Sequence, residues 1–257
     1  MEQKSEAYYY DLSHKEERWD QGDNKRFITL INETAKDVLE IGCGTASIVP
    51  WLKKEITYTG VDISALAIQR AKQFHAGRER TSFICESVDS LNLRPESYDV
   101  VAAFNSLEHV RNPKKMLTLI LRALKPNGHI ILTGPNLDLP WSTPNGIRHY
   151  KAHQIFFFRL LRMGDYIKRI FGFLPFRTIP ENYTESTGKY EKPDDDLRHV
   201  LSSFEVITWL TRNHIEITYT PQFPACRSYK DYIKRAITFL PGMRYYGRHF
   251  TVIGKKK

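Results

Sequence analysis

The 257-residue sequence predicts an α/β fold: a doubly wound sheet of seven strands, mostly parallel with an antiparallel last strand, plus helical cap insertions. Three observations carry that expectation. Short apolar runs alternate with helical patterns from Asp37 to Pro135, the mark of successive βαβ units. A glycine turn, GCG at 42–44, stands where the first run gives way to a helical stretch. Beyond residue 136 the alternation stops for roughly 60 residues and then resumes, which fits one sheet carrying insertions.

The elements follow in order. Residues 1–35 read as an N-terminal helical segment and 36–257 as the sheet domain, with insertions at about 137–200 and 221–247. DVLEI (37–41) is a buried strand, and IVPWLKKE (48–55) after the glycine turn reads as helical. TYTGVDI (57–63) is the second strand, followed by a helix from Ser64 that carries Leu66, Ile68, Ala71 and Phe74 on one face. TSFICE (81–86) and SYDVVAAFN (97–105) are the third and fourth strands, and PKKMLTLILRALKP is a helix opened by Pro113. GHIILTGPN (128–136) is the fifth strand. SSFEVITWLTRN (202–213) opens on a capping box, Ser202 with Glu205 three positions on, and reads as a helix. HIEITYT (214–220) is the sixth strand; HFTVIG (249–254) is the seventh, and its place late in the chain predicts that it joins as an edge.

Composition narrows the function classes. With 41% hydrophobic and 26% charged residues the chain has a globular composition, and no apolar run approaches the ~20 residues a membrane span needs. The N-terminus, MEQKSEAYYYDLSHKEERW, lacks the basic start and apolar stretch of a signal peptide. The expectation is a cytoplasmic protein, with a peripheral position at the inner face of the membrane as its variant. Cys43, Cys85 and Cys226 are widely separated and predict reduced thiols, without a disulfide framework or a metal site. The DDD run at 194–196 reads as an acidic turn. Of the net charge of +9, eight come from Pro221 to Lys257, where nine Lys or Arg face one acid. Such a patch suits nucleic acid, an anionic membrane or a phosphorylated small molecule.

The chemistry concentrates in the first half. Gly42 and Gly44 allow a tight turn and a close approach of backbone to ligand. Asp62, 18 residues after Gly44 at the tip of the second strand, can accept both hydroxyl protons of a ribose. Together they describe an adenosyl site. There is neither GxGxxG nor GK[ST], which disfavours a dinucleotide.

VLEIGCGTAS, GVDIS, YDVVAAFNSLEHVRNP and LKPNGHIILTGPN, in that order, resemble the class I S-adenosylmethionine-dependent methyltransferases over about residues 36–136. Within them, LEHV looks like the branch of ubiquinone-biosynthesis O-methyltransferases and glycan-pathway methyltransferases. The resemblance implies a Rossmann-like fold, S-adenosylmethionine as cofactor and S-adenosylhomocysteine as product. It implies that Glu40, Gly42, Cys43 and Gly44 line the methionine portion, that Asp62 holds the ribose and that Ile63 packs on the adenine. Ser87, followed by Val88, stands where the family often places an Asp near the adenine amino group, and Asn105 matches the position facing the reactive end. Ala46 replaces the third glycine of the fuller motif. His109, on the loop after the fourth strand, is the candidate general base, with a packed helix-terminal histidine as the alternative. Glu108 reads equally well as a turn carboxylate, and His149, His153 and His199 as structural or exposed histidines that border the acceptor side.

DYIKRIFGFLP (165–175) returns as DYIKRAITFLP (231–241), eight identities in eleven. As helices, the copies place Ile167, Ile170, Phe171 and Leu174, or Ile233, Ala236, Ile237 and Leu240, on one face, with Lys168, Arg169, Lys234 and Arg235 on the other. Pro175 and Pro241 limit them. Both lie in connections that leave the ligand-binding edge of the sheet, so the expectation is a cap over the acceptor pocket, its apolar faces packed inward. The competing reading lays FFFRLLRMGDYIKRIFGFLPFR in the interface of an anionic membrane.

The function expected is O-methylation of a small-molecule acceptor, a saccharide, isoprenoid or lipid-linked metabolite, with a phosphorylated or lipid-linked form as the variant. Two alternatives are an RNA methyltransferase, on charge, and a non-catalytic cofactor-binding protein. Against RNA, the segment after the fourth strand reads NSLE rather than Asn-Pro-Pro-aromatic, and no RNA-binding module is visible. The aromatic surface could equally join two copies in a homodimer.

Overall fold

Seven strands form one twisted sheet in the order β3-β2-β1-β4-β5-β7-β6. The computed structural model describes residues 19–144, 147–180, 187, 196–221, 236, 240–241 and 249–257. Helix α1 (Gly22–Thr34) precedes β1 (Asp37–Ile41), β2 (Thr57–Asp62), α2 (Ala65–Phe74), β3 (Thr81–Cys85) and β4 (Tyr98–Phe104). Helix α3 (Pro113–Ala123), β5 (Leu124–Pro135), α4 (Ala152–Ile170), α5 (Ser203–Arg212), β6 (Ile215–Tyr219) and β7 (His249–Lys256) complete it. Pairs β1–β2, β1–β4, β2–β3 and β4–β5 are parallel.

Alternation along the strands divides the core between two faces. On one, Leu39, Val101 and Leu132 pack with Met116, Leu117 and Ile120 of α3 and Val206 and Leu210 of α5. On the other, Val38, Val100 and Ile131 pack with Phe27 and Ile31 of α1 and Ile68 of α2. Ser64 caps α2, accepting from the Ala67 amide at 3.2 Å, and Pro113 opens α3 beside its Asn112 cap. No helix among the described residues is long and apolar enough to cross a membrane.

Three local expectations need correction. β7 is interior, not an edge: it runs antiparallel between β5 and β6, pairing Ile131 with Ile253 and Glu216 with Lys255. β6 lies one strand-width away from β5, and the late strand fills the gap. The stretch 48–55 is not a helix but a single 3₁₀ turn, Val49–Trp51, because Pro50 supplies no amide and the turn closes through i→i−3 bonds such as Trp51 to Ile48. At α5, Ser202 does cap the helix, but the Glu205 carboxylate does not return to it; it binds Arg169 Nε at 2.7 Å and the Phe176 amide at 2.8 Å.

The third of these leads to α4, whose orientation reverses the sequence expectation. The helix ends at Ile170, and Gly172 at φ +82° turns the chain away before Pro175. Its buried stripe is Phe158, Arg162, Asp165 and Arg169, whereas Ile167, Ile170 and Phe171 are exposed. Lys168 is exposed as expected, but Arg169 is inside. The reason is an ion-pair seam. Arg169 meets Glu205 and donates to the Asp138 carbonyl, Arg177 pairs with Asp165, and Arg162 donates to the carbonyls of Leu137 and Leu139. Asp138 caps α5 through Ser202, Ser203 and the Phe204 amide. Buried charge is tolerated where it is paired and hydrogen-bonded. Nearly all of the second copy of the phrase, 231–241, lies outside the described residues.

Candidate active site

The order of the strands reverses between β1 and β4, and the crevice beyond their carboxyl ends is where an open α/β sheet binds ligands. The turn after β1 is built for close approach. Gly42 stands at φ +76°, and a Cβ there would lie 2.4 Å from the Ser106 Cβ. Ser106 Oγ in turn donates to the Ile41 carbonyl at 2.9 Å, tying the loop after β4 to the end of β1. The amides of Gly42 and Cys43 both donate to the Val61 carbonyl. Gly44, at φ +52°, donates its amide to Asp62 Oδ2 at 2.8 Å, and Ser64 donates to Oδ1 at 2.8 Å. Asp62 therefore holds the glycine turn and opens α2, and each oxygen keeps a second lone pair for a ligand hydroxyl.

Around this centre the sequence-predicted residues distribute unevenly. Ile63, at the tip of β2, is 74% exposed and offers an apolar surface beside the carboxylate. Glu40 is buried and accepts from the Tyr58 hydroxyl at 2.5 Å; burial, and then the Glu40 charge, hold that phenol well above its usual pKa. Cys43 is buried as well; desolvation and then the charges of Glu40 and Asp62 push its thiol far up, so it is a protonated wall of the turn rather than a nucleophile. Ser87 accepts from the Asp89 amide, and Val88 is packed into the core with Leu91 and Leu93. Asn105, at φ +46° and exposed at the end of β4, donates its amide to the Thr133 carbonyl at 3.1 Å.

On the loop after β4, His109 is partly exposed between two carboxylates, with Nδ1 3.1 Å from Asp196 Oδ1 and Nε2 3.9 Å from Glu108 Oε1. Asp194 and Asp195 lie outside the described residues. The other histidines separate. His149 and His153 are exposed, while His199 is buried, its Nε2 3.1 Å from the Arg111 carbonyl and its Nδ1 3.4 Å from Thr178 Oγ1. Sequence reading took Asp196 as part of an acidic turn and gave Ser106 no role, since the contacts to His109 and Ile41 join loops distant in the chain.

A glycine turn after β1 and a carboxylate at the tip of β2 face the crevice of a sheet whose antiparallel strand is set between β5 and β6. The cradle that Gly42 leaves open, beside Asp62 and the bare face of Ile63, fits an adenosyl group. Residues 39–132 match the family model described as a methyltransferase domain. The chain is 31% identical over 137 residues to the mitochondrial ubiquinone biosynthesis O-methyltransferase of Schizosaccharomyces pombe, covering 45% of this chain and 49% of that protein. It is 29% identical over 104 residues to the ubiquinone biosynthesis O-methyltransferase of Photobacterium profundum, covering 39% and 44%. The chain thus spans about half the length of the curated relatives it matches. A SAM-dependent methyltransferase from Aquifex aeolicus superposes with a TM-score of 0.56 at 11% identity over 98% of both chains. One from Mesorhizobium loti does so with 0.56 at 15% identity, over 93% of this chain and 100% of that one. Residues 39–132 thus carry a methyltransferase-domain match, and the chain as a whole shares the fold of S-adenosylmethionine-dependent methyltransferases.

Proposed function

We propose that the protein methylates a hydroxyl oxygen of a small-molecule acceptor, a saccharide, isoprenoid or related metabolite that is phosphorylated or lipid-linked and met at an anionic membrane surface. The observation that carries oxygen-directed transfer is His109, held between Asp196 and Glu108 on the loop that borders the cofactor crevice. S-adenosylmethionine, when bound, would supply a methyl on an already activated sulfonium, with S-adenosylhomocysteine as the product. Asp62 would hold the ribose, Ile63 would cover the adenine, and Gly42 and Gly44 would admit the methionine portion. Held beside Asp196 and Glu108, the His109 imidazole takes the hydroxyl proton as the oxygen–methyl bond forms. The insertion around α4, which starts from the same edge of the sheet, bounds the acceptor.

The test is transfer of labelled methyl from S-adenosylmethionine into a native extract, separated into organic, aqueous and RNA fractions. Label in the organic fraction is expected; label in RNA alone would overturn the small-molecule reading. His109→Gln should slow transfer by about 10²–10⁴-fold with cofactor affinity unchanged. An undiminished rate would remove the histidine from the chemistry.

A further inference from the structure

Helix α4 carries two straight stripes. Phe158, Arg162, Asp165 and Arg169 are buried; Phe156, Leu160, Met163, Ile167 and Ile170 are 43 to 59% exposed. Both series follow i, i+4, i+7, i+11, and they are offset by two residues, about 200° around a helix of 3.6 residues per turn. The apolar ridge therefore points straight away from the body. Phe171 and Phe173 continue it past the helix end at 75 and 66% exposure. The ion-pair seam beneath fixes this direction, because rotating the helix to bury the ridge would break the contacts of Arg169 with Glu205 and Asp138 and those of Asp165 with Arg177.

What the ridge suits is indicated by its charge. Asp165 is the only acid in α4 and it is buried against Arg177, so the outward half of the helix carries cations alone, Arg159 and Lys168. Beside the ridge opens a cleft of about 580 Å³ whose lining includes Lys114, Lys168, Phe173 and the paired Asp165 and Arg177. A second copy laid on the ridge would bring like charges together. An anionic lipid surface satisfies both the apolar and the cationic elements.

We infer that α4 is an interfacial docking helix. Its ridge enters the headgroup region of an anionic bilayer, and Arg159 and Lys168 meet the phosphates alongside. This deepens the proposal of a lipid-linked acceptor, but docking requires neither cofactor nor catalysis, so the two fail separately.

The experiment is flotation of the full chain with vesicles of phosphatidylglycerol and phosphatidylcholine, against phosphatidylcholine alone, without cofactor. The protein should float with the anionic vesicles and be released by salt. Leu160→Gln with Ile167→Gln should lower partitioning by about tenfold or more, with the thermal melt and S-adenosylmethionine affinity unchanged. Arg159→Gln with Lys168→Gln should flatten the salt dependence. Absence of flotation, or equal flotation of the Leu160/Ile167 variant, would overturn the inference. So would a solution dimer that this variant dissociates, which would assign the ridge to a second copy.

Discussion

Gly42 and Ala46 bracket the turn after β1, both in the left-handed region, at φ +76° and +56°. Only the first is beyond replacement. A methyl at Gly42 meets Ser106, whereas Ala46 already fits in the core, and its left-handed φ costs about 1 kcal/mol. Gly42→Ala should lose about 2–4 kcal/mol by chemical denaturation, from strain plus overpacking, and lower cofactor affinity in calorimetry. His199 makes a different prediction. Burial holds its pKa below the ordinary 6.5, and its two ring contacts suit a neutral imidazole, with Nε2 donating to Arg111 and Nδ1 accepting from Thr178. A depressed folded-state pKa means that its stabilisation is complete above 6.5 and is lost as the pH falls through the folded value. Melting temperature should fall with pH below 6.5, and His199→Gln should make that decline shallower; an unchanged slope would place the titration elsewhere.

Among the elements, α4 depends most on contacts far along the chain. Arg169→Met would leave Glu205 buried without its cation and should cost about 3–5 kcal/mol in denaturant unfolding. Adding Glu205→Leu should recover part of that, since two apolar side chains do not need each other's charge. The same contacts explain why the helix could be read from the sequence but not its facing. Alternation and periodicity treat Lys and Arg as outward, and the partners that draw Arg169 and Asp165 inward stand at 138, 177 and 205, with no local signal linking them. The cofactor side was more legible because its signals are local: a glycine turn, a strand-tip carboxylate and a Ser64 cap, each set by a few consecutive residues. Ser106 escaped because its role is a contact 65 residues away, at Ile41.

Across the whole molecule, strand existence followed from composition and alternation, whereas position in the sheet did not follow from order in the chain. β7 illustrates the difference: its apolar run marks a strand, but only the geometry left by β6 puts it inside. That placement has a consequence for how the protein is made. Residues 249–256 must clear the ribosome before β6 acquires any neighbour, so the sheet grows during translation only as far as β5. In the interval, at about 5–20 residues per second, the outer edges of β5 and β6 are open templates for pairing with other chains. A nascent chain stalled before residue 249 would be the aggregation-prone form, and once β7 is in place it closes the edge of β5 and the facing edge of β6 together.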